Sequence, residues 1–303
     1  MTDLHPLAGV YAAAVTPLKA DSSSFDFEAA PALLHFLASR GCHGALIFGT
    51  TGEGPSFSPK ERETFMRSIR VVRNQLRGFK LLAGTGTPSL SETIELTKLA
   101  FELNYDGVVV LPPYYFRKAT EDGLFNWFSE LIQKAVPEGK HLLGYHIPVM
   151  TGVGFSLDLL ERLKTKFPNQ FAGIKDSSHD EAFAAALGQR FGNELFVLNG
   201  TDSYFHHALK NHAQGAITAP ANLISENLRE VWDLFQDGKD PSEMQAKVTE
   251  QRHFLEHYSP IAPVLKGLLH KIYELPNWAL RHPLESLDEK ILEEAAEEFS
   301  KIS

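Results

Sequence analysis

Lys175 stands in FAGIKDSS (171–178), where an apolar run gives way to polar residues. Phe171, Ala172 and Ile174 suit the interior of a sheet, and Asp176, Ser177 and Ser178 suit a loop or a helix start. A lysine at that junction loses hydration, which favours the neutral amine. A neutral amine attacks a carbonyl and forms an imine. The same side chain can instead reach solvent or pair with Asp176. Tyr145, which ends the apolar part of HLLGYHIP (141–148), supplies a phenol able to pass protons while a carbinolamine forms and collapses, or else a packed aromatic with a satisfied hydroxyl. Thr50 and Thr51, after Gly49 in GTTGEGPS (49–56), offer hydroxyls and amides to a carboxylate, or ordinary loop capping. Lysine, phenol and a hydroxyl–amide nest together make an α-keto acid site, which none of them makes alone.

Such residues act together only if a scaffold brings them to one place. Eight apolar runs recur, each followed by a helical pattern: GVYAAAVTP (9–17), GALIFGT (44–50), FKLLAGTG (79–86), GVVVLPP (107–113), HLLGYHIP (141–148), FAGIKD (171–176), LFVLNG (195–200) and GAITAP (215–220). They alternate little between polar and apolar, as parallel strands covered on both faces do. Between them lies helix grammar. SPKE (58–61) has a serine cap, a proline at the first helical position and a glutamate three beyond the cap. SLSE (89–92) repeats the capping box. In DFEAAPALLHFLASRG, the residues Phe27, Ala30, Leu33, Leu34 and Leu37 form one stripe, and Gly41 can end the helix. Ser156, Asp202 and Ser225 begin further periodic stretches.

The pattern predicts an α/β fold, a closed (β/α)₈ barrel over residues 1–223, with residues 224–303 a helical extension packed on it. In that extension Pro260 and Pro263 interrupt one pattern, and Ser286 to Glu289 cap the last helix. A doubly wound sheet is the runner-up, but AVTPLKADSSSFD is not its glycine-rich first turn. In a barrel the chemistry lies at the carboxyl ends of the strands. Those ends carry Thr16, the loop 49–56, GTGTPS (84–89), PPYYFR (112–117), Tyr145, Lys175, NGTD (199–202) and Thr218. Glu53, His146, Asp176, His179 and Asp202 carry ligand atoms, yet no pair has the i, i+4 spacing of a helical metal site, so no metal is expected.

Composition narrows the function further. The chain has 303 residues, 43% hydrophobic, with a net charge of −9 that argues against nucleic acid. The acidic run DEKILEEAAEE (288–298) reads as the solvated face of a final helix. The single cysteine, Cys42, excludes an intramolecular disulfide and fits a reducing compartment; RGCHGALIF places it at a helix-to-strand connection, as a small packed residue. The start MTDLHPLAGV lacks the basic and apolar regions of a signal peptide. No apolar stretch approaches the roughly 20 residues that cross a bilayer. A cytoplasmic protein is expected.

The segments GTTGEGPSFSPKER, PPYYF, GYHIPVMTG and GIKDSS, in that order, resemble the N-acetylneuraminate lyase and dihydrodipicolinate synthase superfamily of class I, pyruvate-handling aldolases. The resemblance runs from about Val10 to Leu223. It implies that Lys175 forms the imine with C2 of pyruvate and that Tyr145 transfers protons. It implies that Thr50 and Thr51 bind the keto-acid carboxylate, Thr50 also linking Tyr145 to a second tyrosine. That tyrosine would be Tyr115, which in many members reaches the neighbouring subunit's site. Ile217 would place a backbone carbonyl near the imine, and a homotetramer built as a dimer of dimers is the implied assembly, with no cofactor beyond the lysine imine.

Three departures bear on the substrate. The synthase branch has an arginine after Pro148 and Val149 that grips the second substrate's carboxylate; here it is Met150, which cannot make that bidentate pair. His146 replaces the usual asparagine, and strand alternation turns it away from the face of Tyr145. KDSS differs from the synthase-like KEA. The leading expectation is a class I lyase that cleaves a 4-hydroxy-2-keto acid or a 2-keto-3-deoxy sugar acid to pyruvate and an aldehyde, with Met150, Thr151, Asp202 and Thr218 facing the variable part. The alternatives are condensation of pyruvate with aspartate semialdehyde, a keto-acid sensor without turnover, and a metal-dependent aldolase.

Overall fold

The computed structural model describes residues 4–303; the first three residues of the stretch read for a signal peptide lie outside them. Eight strands, β1 (Gly9–Ala13), β2 (Gly44–Ile47), β3 (Lys80–Gly84), β4 (Gly107–Val110), β5 (His141–His146), β6 (Phe171–Asp176), β7 (Phe196–Asn199) and β8 (Gly215–Thr218), follow one another in space as in sequence. All pair in parallel, and β8 pairs back to β1, so the sheet closes into a barrel. Each of the eight apolar runs supplies one strand.

The runs are apolar throughout because each strand serves two cores. Tyr11, Leu46, Leu82, Val109, Leu143 and Leu198 fill the interior of the barrel. Their neighbours Val10, Ala45, Leu81, Val108, Leu142 and Val197 face outward into the layer beneath the helices. Such two-sided burial is what parallel barrels require.

Strand β6 departs from strict alternation. Leu142 of β5 pairs with Phe171, but the next residue, Leu143, pairs with Gly173, so Ala172 is an extra residue in the ladder. Phe171 faces outward and Ala172 inward. Alternation alone would then turn Lys175 outward; the bulge resets the parity, and Ile174 faces out while Lys175 faces in. Gly173 makes this possible, because a Cβ there would lie 1.8 Å from the carbonyl oxygen of Phe196.

The helices are α1 (Ala29–Ser39), α2 (Pro59–Ile69), α3 (Val72–Gln75), α4 (Leu90–Glu102), α5 (Glu121–Ala135), α6 (Pro148–Thr151) and α7 (Leu157–Lys166). They continue with α8 (Glu181–Phe191), α9 (Phe205–Lys210), α10 (Ala221–Gln236), α11 (Ser242–Glu256), α12 (Ile261–Tyr273) and α13 (Glu289–Ile302). The capping box at α2 is complete: Ser58 accepts from the Glu61 amide while the Glu61 side chain accepts from Ser58. At α4 only half of it forms, since Ser89 accepts from Glu92 but its own amide donates to Thr87.

Several helix readings need correction. Phe27 precedes α1 and is exposed, so the buried stripe is Ala29, Ala30, Leu33, Leu34 and Leu37. Ser225 does not start a helix: α10 begins at Ala221, and Ser225 lies buried just after a kink at Ile224 (φ −115°, ψ 27°). A division at 223/224 falls at that kink, within a helix that packs along β1. Pro260 and Pro263 mark the entry and first turn of α12, where a missing amide hydrogen is harmless. Asp288, not Ser286, caps α13 by accepting from the Lys290 amide. Among the described residues no helix is long and apolar enough to cross a membrane.

Candidate active site

The site lies where the carboxyl ends of the strands meet α11 and the turn into α12. A cavity of about 420 Å³ opens there. Its floor is made by Thr50, Thr51, Tyr145, Lys175 and Ile217. Strands β5 and β6 set Tyr145 and Lys175 side by side as Cα partners. Lys175 is 3% exposed, and its Nζ lies 4.1 Å from the centre of the Tyr145 ring. The Tyr145 hydroxyl lies 3.3 Å from Oγ1 of Thr50. Burial would raise the Tyr145 phenol, but the neighbouring Lys175 charge, with the hydrogen bond to Thr50, outweighs it and holds the phenol below its ordinary range.

Asp176 does not neutralise Lys175. It faces the other side of β6, where it accepts from the Ser178 amide (3.0 Å). Burial pushes its carboxyl up to about 6, the opposite of what a partner cation would do. Among the described residues Lys175 has no carboxylate within ion-pair distance, whereas Lys266 and Glu53 pair at 2.5 Å.

The loop carrying Thr50 and Thr51 is folded back on itself and held from three sides. Phe48 and Glu53 are left-handed (both φ 55°), and Gly54 donates to the Gly49 carbonyl. A Cβ on Gly54 would lie 2.1 Å from the Phe48 carbonyl oxygen, so only glycine fits. Buried Arg62 of α2 donates to the carbonyls of Gly54, Phe57 and Gly86. Thr16 donates to the Gly52 carbonyl. Glu53 reaches the extension, accepting from Lys266 Nζ and from the Arg281 amide (2.7 Å).

Of the other expected site residues, most lie outside the cavity. Asp202 is fully buried and sits behind the cavity, accepting from Nη1 of Arg252 at 2.9 Å. Thr218 is buried beside it and is absent from the cavity lining. The hydroxyl of Thr151 is spent on the carbonyls of Ile147 and Val153 within its own turn. Gly49 lines a small neighbouring crevice with Thr50 and Tyr145 rather than the main cavity. Met150 does line the cavity, largely exposed at 61%. Tyr115 is 77% exposed and packs edge-on against Phe116, away from the cavity of its own chain. His146 faces outward, stacks on Phe183 and accepts from the Phe155 amide through Nδ1. Cys42 is buried, and burial pushes its thiol up to about 12, which suits a packed residue rather than a nucleophile.

The roof was not read from the sequence. Arg252, Leu255 and Glu256 of α11, with Ser259, Pro260 and Ile261, close the cavity from above. No periodicity ties a helix some hundred residues downstream of β5 to its end. Gln251 and Arg252 of α11 are both buried in the fold, a fact that the residue types in the sequence do not carry.

The comparisons with known proteins bear on the family and the fold. The model of the dihydrodipicolinate synthetase family matches residues 6–302. The chain belongs to that family. It is 35% identical over 276 residues to an uncharacterized DapA-like lyase of Chloroflexus aurantiacus, covering 91% of this chain and 90% of that one. Among solved structures it superposes on a prophage protein of the dihydrodipicolinic acid synthase family from E. coli K12, in complex with pyruvate (TM-score 0.89, 24% identity, 98% of both chains). It superposes equally on a catalytic-lysine mutant of the Ruminococcus gnavus sialic acid aldolase (TM-score 0.89, 22% identity, covering 100% of this chain and 98% of that one). The chain is a lyase, and the barrel with its helical extension is the fold of these neighbours. Among the described residues no group of three or more His, Cys, Asp or Glu is placed to hold a metal ion.

Proposed function

We propose that this lyase forms a Schiff base between Lys175 and a 2-keto acid and reversibly cleaves a 4-hydroxy-2-keto acid or a 2-keto-3-deoxy sugar acid into pyruvate and an aldehyde. The observation that carries the reading is a buried lysine without a carboxylate partner, its Nζ 4.1 Å from the ring of a phenol that is itself bonded to Thr50. Held below its ordinary range, Tyr145 can lose its own proton and, as the phenolate, take one from the ammonium of Lys175, freeing the lone pair for attack on C2. The phenol then returns the proton to the carbinolamine oxygen, which leaves as water. The iminium draws electrons from the C3–C4 bond as the C4 hydroxyl loses its proton. The aldehyde departs, C3 of the enamine is protonated, and water releases pyruvate. Thr50 and Thr51, with their amides, hold the carboxylate and so fix C2 over the amine.

Tyr115 and a homotetrameric assembly belong to the same reading. With Phe116 and Val149 it is exposed on one chain and free to meet a second. The enzyme is taken to act in the cytoplasm, on small molecules rather than nucleic acid or membrane. Condensation of pyruvate with aspartate semialdehyde is the second reading. Against it stands Met150, where a carboxylate-gripping arginine would sit. The test is borohydride reduction in the presence of pyruvate, followed by mass spectrometry. Adduct on the peptide bearing Lys175 is expected; adduct elsewhere, or none, overturns the mechanism. Turnover of 2-keto-3-deoxy acids against aspartate semialdehyde then separates the two readings.

A further inference from the structure

A cavity of about 420 Å³ is far larger than a three-carbon acid requires and lies in the range of roughly 300–1,000 Å³ that holds drug-sized ligands. Beyond the floor, its lining includes an apolar set, Ile147, Val149, Met150 and Leu255, and a polar set, Ser177, His179, Arg252 and Glu256. Arg252 is the one arginine of that lining. Its Nε donates to Glu256 at 2.7 Å and its Nη1 to the buried Asp202 at 2.9 Å, so the guanidinium is clamped from two directions. Nη2 has no hydrogen-bond partner among the described residues and is not among the sealed polar atoms of the interior. It remains available to a ligand.

Two carboxylates face this one guanidinium. Asp202 and Glu256 together offset the guanidinium. Desolvation and the Arg252 charge hold His179 below its ordinary range, so it adds no positive charge at neutral pH. A carboxylated or phosphorylated tail would find no surplus of positive charge and would lie close to Glu256. Hydroxyl groups suit this roof better: Arg252 donates to their oxygens through charge-assisted bonds and Glu256 accepts their protons. Their carbon-bound faces can rest on the apolar set.

We infer that Arg252, held by Asp202 and Glu256, reads the aldehyde-derived end of the substrate, and that this end is an uncharged polyhydroxylated chain. The inference rests on the Schiff-base reading of the same cavity. The test compares kcat/KM for two six-carbon substrates, a 2-keto-3-deoxy-hexonic acid and the corresponding hexaric acid whose sixth carbon is a carboxylate. The wild type should prefer the hexonic acid by about tenfold or more. Glu256→Gln should narrow or reverse that ratio, because it releases the Arg252 charge. Arg252→Met strands Asp202, so it is made together with Asp202→Asn. That pair should lose about 10²-fold in kcat/KM for the hexonic acid, mostly through KM, while borohydride trapping of pyruvate stays within about twofold. Arg252→Lys should recover part of the loss. A wild type that prefers the hexaric acid, or a double variant with unchanged kcat/KM, overturns the inference while leaving the Schiff base standing. Failure of pyruvate trapping in the wild type overturns the Schiff-base reading itself.

Discussion

Two lysines in this molecule are almost equally hidden, Lys175 at 3% exposure and Lys266 at 1%, and they lie in opposite electrostatic settings. Lys266 meets Glu53 at 2.5 Å and the Ala279 carbonyl at 2.7 Å; burial lowers its ammonium and the Glu53 charge supports it. Lys175 faces a phenol ring and has no carboxylate partner among the described residues. Burial alone therefore does not mark a reactive amine. What separates them is the partner: a carboxylate keeps an amine charged and inert, whereas a phenol can exchange its proton. The two are also linked, since Glu53 belongs to the loop that presents Thr50 and Thr51 beside Lys175.

The largest effect should come from Lys175→Ala. Without the amine no iminium forms, and turnover together with reductive trapping should vanish, as checked by pyruvate release and mass spectrometry. Retained turnover would dissolve the contrast with Lys266. Tyr145→Phe comes next. It keeps the ring beside the amine and removes the proton carrier, so kcat should fall by about 10²–10⁴ while the protein stays folded by circular dichroism. A fall in stability with unchanged kcat would make Tyr145 a packing residue.

Lys266→Met should act on the fold rather than the chemistry. It leaves Glu53 charged and buried, which costs about 3–5 kcal/mol. Joining it with Glu53→Gln should restore most of that, because a neutral amide can still accept from the Arg281 amide. Urea denaturation of the two variants checks this. If the double variant is no more stable than the single one, the pair is not the element that fastens the loop to the extension.

The barrel was legible because each strand is apolar on both faces and helices such as α2, α4 and α7 are announced by a serine cap. The floor of the site was legible because it lies at strand ends, where position in the run tells depth: Lys175, Tyr145, Thr50 and Thr51 all line the cavity. What alternation could not give is the face of Lys175. Counted strictly from the outward Phe171, it points away from the cavity, and only the extra residue at Ala172 turns it in. Gly173, a glycine inside a strand, was the available sign. Asp202 failed for a related reason. A strand-end carboxylate reads as a ligand group, but its partner is Arg252, fifty positions on, and the pairing is set by how the extension folds over the barrel.

The smallest effect tests whether Lys175 is unpaired. Asp176 would be its partner in an ordinary ion pair, and pairing would hold the Asp176 carboxyl down. Burial instead raises it from 3.8 to about 6. The folded state therefore binds this proton more tightly than the unfolded chain does. On this group's account stability is full below about pH 4, falls as pH rises through 6 and is constant above. The loss approaches about 3 kcal/mol, at about 1.4 kcal/mol per unit. Asp176→Asn removes the titration yet can still accept from the Ser178 amide. The stability of Asp176→Asn relative to wild type, from urea denaturation at both pH values, should therefore improve by up to about 3 kcal/mol between pH 4 and pH 7. If Lys175 and Asp176 were paired, the sign would reverse: the substitution would hurt most at pH 7, where the pair would be fully charged, and least at pH 4. A relative stability that worsens with rising pH would place the two side chains together and leave the amine without its distinguishing environment.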